Sequence, residues 1–104
     1  MIFTTTETIP GREISEIVGI VSGNVVQSKH IGRDIMAGLK SIVGGEIRGY
    51  TEMLNDARDT AISRMVSNAQ EKNADAILGI RFTTSAIMDG SSEILVFGTA
   101  VKLD

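Results

Sequence analysis

The chain contains no cysteine and no tryptophan, and only one proline, one tyrosine and one histidine among its 104 residues. Without cysteine there is no disulfide, no thiolate zinc site, no iron–sulfur cluster and no thiol nucleophile. Basic residues are not in excess. Ten Lys/Arg stand against thirteen Asp/Glu, for a net charge of −3 and a pI near 5.1. That balance argues against a nucleic-acid partner, which needs a basic face. No stretch approaches the roughly 18 consecutive apolar residues of a membrane span. The opening residues, Met1 to Pro10, lack the basic start and apolar core of a secretory leader. The expectation is a soluble, cytoplasmic protein with neither a nucleic-acid nor a membrane partner.

Repeats, low-complexity tracts and linkers are also missing, so one domain over residues 1–104 is expected. Hydrophobic residues make up 42% and charged residues 22%, the usage of an ordinary globular domain. A fold of this size buries only about 60–70% of the surface its unfolded chain exposes, so self-association would help it.

Periodicity supplies the elements. Ile2-Phe3 reads as a short strand before an Ile9-Pro10-Gly11 turn. Residues Arg12 to Val26 form a long Ile/Val-rich strand, with Ile14, Val18 and Ile20 on one face and Ile17, Val21 and Val25 on the other. Gly19 and Gly23 interrupt it and suggest a bulge or a close backbone approach. Ile31, Ile35, Leu39 and Ile42 recur at helical spacing up to a cap at Gly44-Gly45. A second helix runs from about Thr51 to Lys72. Its stripe is Leu54, Ala57, Ala61, Met65 and Ala69, and Asn73 is placed for the left-handed cap. Glu52, Asp56 and Asp59 near its start and Lys72 at its end read as complements of the helix dipole.

Two strands follow. Ala76 to Met88 points Leu78, Ile80 and Phe82 one way and Arg81, Thr83 and Ser85 the other. After a turn at Asp89-Gly90-Ser91-Ser92, Glu93 to Lys102 returns with apolar residues on both faces. The fold class is therefore α+β: a small antiparallel sheet with two helices in β-α-α-β-β order. Helices on one side cannot bury both faces of that last strand, and a homo-oligomer can.

Few side chains point to chemistry. His30 is the only histidine, and Ser28 and Asp34 nearby do not make a triad without a nucleophile elbow. It reads as an exposed helix-start residue, although one histidine per subunit can still form a multi-histidine site on a ring axis. No HxxxH, HExxH or EF-hand spacing exists. Residues Gly44 to Tyr50 resemble a phosphate-cradling loop but lack the Gly-Lys-Ser/Thr ending, and a tight helix-to-helix turn explains the glycines. Glu46, Glu52, Asp56 and Asp59 form an acidic cluster better explained by the helix dipole than by a hard cation. Met53 and Met65 lie on the helix stripe and read as core. Arg81 lies in a strand of apolar and small residues, where a structural ion pair with a carboxylate of the long helix is expected; Arg58 and Arg81 are the alternative contacts for an anionic ligand.

Taken in order, several segments carry a resemblance: Val21-Ser22-Gly23-Asn24, Gly44-Gly45-Glu46 with Tyr50-Thr51, Ala57-Arg58, Arg64-Met65, Ala74-Asp75-Ala76, Arg81-Phe82 and Gly98-Thr99-Ala100-Val101. Over nearly its whole length the chain resembles the YbjQ-like family, which carries a heavy-metal-binding label. Where that family has Gly-Ala-Asn-Ala, this chain has Asn73-Ala-Asp-Ala76. The resemblance implies a dodecin-like subunit assembled into a ring of five. It implies no activity and no cofactor, and the residues present offer no ligand spacing for the metal.

Three functions follow as expectations. The first is a non-catalytic homo-oligomer holding a metal ion or small ligand at subunit interfaces or on its axis, with Glu46, Tyr50, Arg58 and Arg81 as the ligand-binding candidates. The second is a carboxylate-based enzyme acting on an anionic small molecule. The third is a scaffold ring without ligand. No catalytic residue is assigned.

Overall fold

The computed structural model describes residues 1–27, 42–43 and 46–104. Its frame is a four-stranded sheet with one long helix against it. The strands are β1 (Ile2–Phe3), β2 (Ile14–Gln27), β5 (Ala76–Met88) and β6 (Ser91–Leu103), in the order β1-β5-β6-β2. A separate two-stranded ladder joins β3 (Ile42–Val43) to β4 (Glu46–Ile47), and the helix α1 (Arg48–Glu71) follows directly.

The sheet is mixed, not wholly antiparallel. β2 and β5 flank β6 antiparallel, whereas β1 runs parallel to β5. The first two strands therefore lie at opposite edges. Between them the chain turns at Ile9-Pro10-Gly11-Arg12, where the Arg12 amide donates to the Ile9 carbonyl at 3.1 Å and Gly11 has φ +76°. Proline followed by a left-handed glycine is the arrangement of a type II turn. The β5–β6 hairpin closes on only two residues, Asp89 and Gly90, with Met88 opposite Ser91 and Gly90 at φ +75°. Ser91 and Ser92 belong to the strand.

The expected first helix, Ile31 to Val43, falls mostly outside the described residues. Its last two positions are corrected: Ile42 and Val43 are extended and pair with Ile47 and Glu46. The β-branched side chains favour that conformation. The long helix also begins earlier than Thr51, at Arg48, so its first turn holds no acidic residue and its last turn no basic one. Glu52, Asp56 and Asp59 lie beyond the turn where the dipole acts, and the dipole reading of those charges fails. The other end matches expectation. Asn73 has φ +58°, its amide reaches the Gln70 carbonyl, and the Ala74 amide reaches that of Ala69. These are the two bonds of a Schellman cap.

The core lies between α1 and one face of the sheet. Ala61, Met65 and Ala69 of the helix pack on Val21, Ile77, Ile80, Val96 and Ala100. The small helix residues let the two layers approach closely. At Gly23 they touch: a Cβ there would overlap the Ala61 carbonyl oxygen and lie 2.5 Å from the Met65 amide nitrogen. A helix about 10 Å across covers about two strands spaced 4.8 Å apart. α1 accordingly sits over β2 and β6. It also caps the outer edge of β2, where Arg64 Nη1 donates to the Asn24 carbonyl at 2.6 Å and Asn68 Oδ1 accepts from the Ser22 amide at 3.3 Å. Polar side chains on these groups blunt an edge that would otherwise recruit another strand.

Four register shifts break the alternation expected along the strands, at Ile14/Glu16 and Ile17/Gly19 in β2 and at Leu78/Arg81 and Ala86/Met88 in β5. The inner one of β2 and the first of β5 shape the open face. Val18 consequently packs with the core, while Ile17 and Ile20 share the opposite face. Leu78 likewise leaves Ile80 and joins Ala76 and Val101 in a small second cluster, packed by Ile9 and Leu103. Above that cluster the second face of the sheet is open. Ile17 is 71% exposed, Ile20 79% and Val26 55%.

Candidate functional site

The two bulges that shape the open face sit at adjacent levels on either side of β6. On one side Ile17 faces Val101 and Gly19 faces Ala100; on the other Leu78 faces Thr99 and Arg81 faces Phe97. Each bulge adds a residue and bends its strand. Gly79, with φ +61°, supplies the left-handed residue that the β5 bulge needs. Together they leave a cleft of about 420 Å³ on the open face. Leu78, Val101, Ile14 and Ile17 are its apolar walls, and Glu7, Thr99 and Arg81 bring polar groups. The volume lies within the range of about 300–1,000 Å³ of small-molecule pockets.

Arg81 makes no ion pair with any described residue. Among the described residues the one ion pair joins Lys102 to Glu16 at 4.0 Å, on the surface. The expectation of a helix carboxylate for Arg81 is corrected for a topological reason: Arg81 lies on the sheet face away from α1. Its Nη1 donates instead to two backbone carbonyls, Thr5 at 3.1 Å and Ile80 at 2.8 Å. Those two bonds use both hydrogens of Nη1 and hold the guanidinium in place. No group among the described residues accepts from Nε or Nη2.

Arg58 lies elsewhere. It projects from α1 into a cleft of about 390 Å³ between the helix and the outer part of the hairpin, with Thr84, Ser85 and Ser92 on its walls. Its Nη1 reaches Asn55 Oδ1 at 3.4 Å. Glu46 is in β4, opposite Val43, and Tyr50 is in the first turn of α1. The four candidates are thus spread over three places: Arg81 on the open face, Arg58 on the helix face, and Glu46 with Tyr50 at the helix start. Among the described residues no group of three His, Asp or Glu side chains converges as a metal site. His30 lies outside them. No described helix is long and apolar enough to cross a membrane.

Sequence reasoning passed over Glu7, Gly79 and Thr99. A glycine inside a strand is the sign of a bulge, and Gly79 carried it, but Glu7 lies 74 residues from Arg81 and 92 from Thr99 in the chain.

A family model described as "Putative heavy-metal-binding" matches residues 1–104. The chain belongs to the YbjQ-like family. It is 82% identical over 103 residues to a UPF0145 protein of Colwellia psychrerythraea, covering 99% of this chain and 98% of that one. It is 58% identical over 104 residues to a UPF0145 protein of Thermotoga maritima, covering 100% and 98%. A crystal structure of a protein of unknown function from Pediococcus pentosaceus, assigned to the DUF74 family, is similar in fold with a TM-score of 0.67. That match covers 100% of this chain and 98% of the other at 18% identity, so it speaks for the YbjQ-like fold alone.

Proposed function

We propose that the chain is a non-catalytic, cytoplasmic subunit of a homo-oligomer, a ring of five on the family resemblance, that holds a small ligand or metal ion at or beside its subunit interfaces. The carrying observation is the open sheet face. Ile17 and Ile20 are exposed side by side on that face, with Phe97 of the neighbouring strand one register step away opposite Ser22, an apolar surface larger than a single scattered residue. The radius of gyration, 16.8 Å, exceeds the roughly 13 Å of a compact domain of this length. Among the described residues one helix layer lies on strands about 43 Å long and covers one face of the sheet, and a second copy is a common cover for the other.

The Arg81 cleft favours a ligand-holding oligomer over a bare scaffold. It opens on the same face, so a neighbouring subunit roofs it. Arg81 is the foremost binding residue in this reading; Arg58, Glu46 and Tyr50 serve secondary contacts. Sedimentation velocity over a hundredfold dilution tests the assembly. A single oligomeric species, reduced to monomer by Ile20→Lys, is the expected result. A monomer throughout, for the unsubstituted chain, overturns the reading.

A further inference from the structure

We infer that the cleft between the two bulges takes a small aliphatic zwitterion: a carboxylate and an ammonium group on a short apolar chain, as in an aliphatic amino acid. This rests on the ligand-binding part of the proposed function and names the ligand's class.

Three features of the cleft carry it. The first is Arg81. With Nη1 tied to the Thr5 and Ile80 carbonyls, its free donors are Nε and Nη2, the side of the guanidinium that grips a carboxylate with two parallel hydrogen bonds. The backbone has already fixed the plane of the group, so little rotamer entropy is lost when an anion arrives. The second is Glu7. It lines the same cleft, and its side chain has no hydrogen bond or ion pair among the described residues. An acid and a base that face one cleft without pairing present opposite charges to an occupant. A simple anion would meet repulsion from Glu7, and a simple cation repulsion from Arg81. A zwitterion satisfies both, and the Thr99 hydroxyl can serve either head group. The third is the apolar wall of Ile14, Ile17, Leu78 and Val101, which suits a branched aliphatic chain. Among the described residues the cleft has no aromatic surface to stack a base, and a dianionic phosphate would find there one cation and one opposing carboxylate.

The experiment is calorimetric titration of the assembled full-length protein with L-leucine, 4-methylpentanoate and 3-methylbutylamine. The last two each keep the branched chain and one of the head groups. Leucine is expected to bind once per subunit, with either single-headed compound at least about tenfold weaker. Glu7→Gln, at an exposed and unbonded side chain, should abolish the preference of leucine over 4-methylpentanoate. Arg81→Met should abolish leucine binding, and Arg81→Lys, which keeps the charge without the fork, should restore only part of it. Equal binding of 4-methylpentanoate and leucine, leucine binding untouched by both Glu7→Gln and Arg81→Met, or tighter binding of inorganic phosphate would each overturn the inference. So would an assembled protein, verified by sedimentation in the same buffer, that binds none of the three. A protein that binds leucine as a monomer upholds the inference while removing the assembly reading.

Discussion

Helix and sheet approach closely at Gly23, and replacing it by alanine is a sharp test of the packing. Its φ is not in the left-handed region, so the conformation tolerates a side chain and the effect is steric. The added Cβ overlaps the Ala61 carbonyl oxygen, lies 2.5 Å from the Met65 amide nitrogen and 3.0 Å from the Arg64 Cβ. Two of these three atoms belong to the helix backbone and cannot rotate away. Since ordinary contact begins near 3.4 Å, α1 must retreat by about 1 Å, a gap that forfeits between a quarter and half of the dispersion contact along the seam. Overpacking costs about 1–3 kcal/mol where side chains can adjust. Here they cannot, so about 3 kcal/mol is expected, set against the roughly 0.4–1 kcal/mol that Gly→Ala returns by stiffening the unfolded chain. At about 4–8 °C per kcal/mol for a domain near this size, the net loss lowers Tm by roughly 10–20 °C. Urea denaturation followed by circular dichroism, with both proteins at one concentration, measures it. A Gly23→Ala protein within about 0.5 kcal/mol of the parent would refute the close-approach argument.

At Gly98 the same substitution meets Ile77 Cγ2 at 2.8 Å, Ile80 Cγ1 at 3.0 Å and the Leu78 carbonyl oxygen at 3.0 Å. These contacts are less severe than the overlap at Gly23 but made to buried, stiff side chains and a backbone atom, so a loss of about 1–3 kcal/mol is expected in the same assay. Gly79→Ala meets nothing within 4 Å but must hold φ +61°; a loss of about 1 kcal/mol, with leucine titration weakened beyond what stability explains, is the expected pair of readings. Asn73→Gly should leave stability unchanged or slightly raised, and Asn73→Ala should lower it by about 1 kcal/mol, because only the latter lacks an easy left-handed cap. Tm should rise with protein concentration if assembly covers the open face, and an unchanged midpoint over a hundredfold range would contradict that coverage.

Local signals made much of the fold legible. The stripe from Leu54 to Ala69, the cap at Asn73, the Pro10-Gly11 turn and the Asp89-Gly90 hairpin each depend on residues within a few positions of one another. Of the candidate site, Arg81 was visible as a charge in an otherwise uncharged strand. Its surroundings were not, because Thr5, whose carbonyl it bonds, and Glu7, which lines the same cleft without pairing to it, approach it only through the pairing of β1 with β5.

The amino-acid sequence by itself determined the long helix, the three long strands, and that the last strand is apolar on both faces, since side-chain periodicity and turn chemistry are short-range properties. The extended pairing of Ile42 and Val43 with Ile47 and Glu46 was not among them. Only the tertiary structure decided which residues share a face. A single bulge reverses every position beyond it, and the register that places a bulge is set by the partner strand. That is why Val18 turned into the core while Ile17 and Ile20 turned out of it, and why two bulges flanking β6 brought Glu7, Arg81 and Thr99 to one cleft.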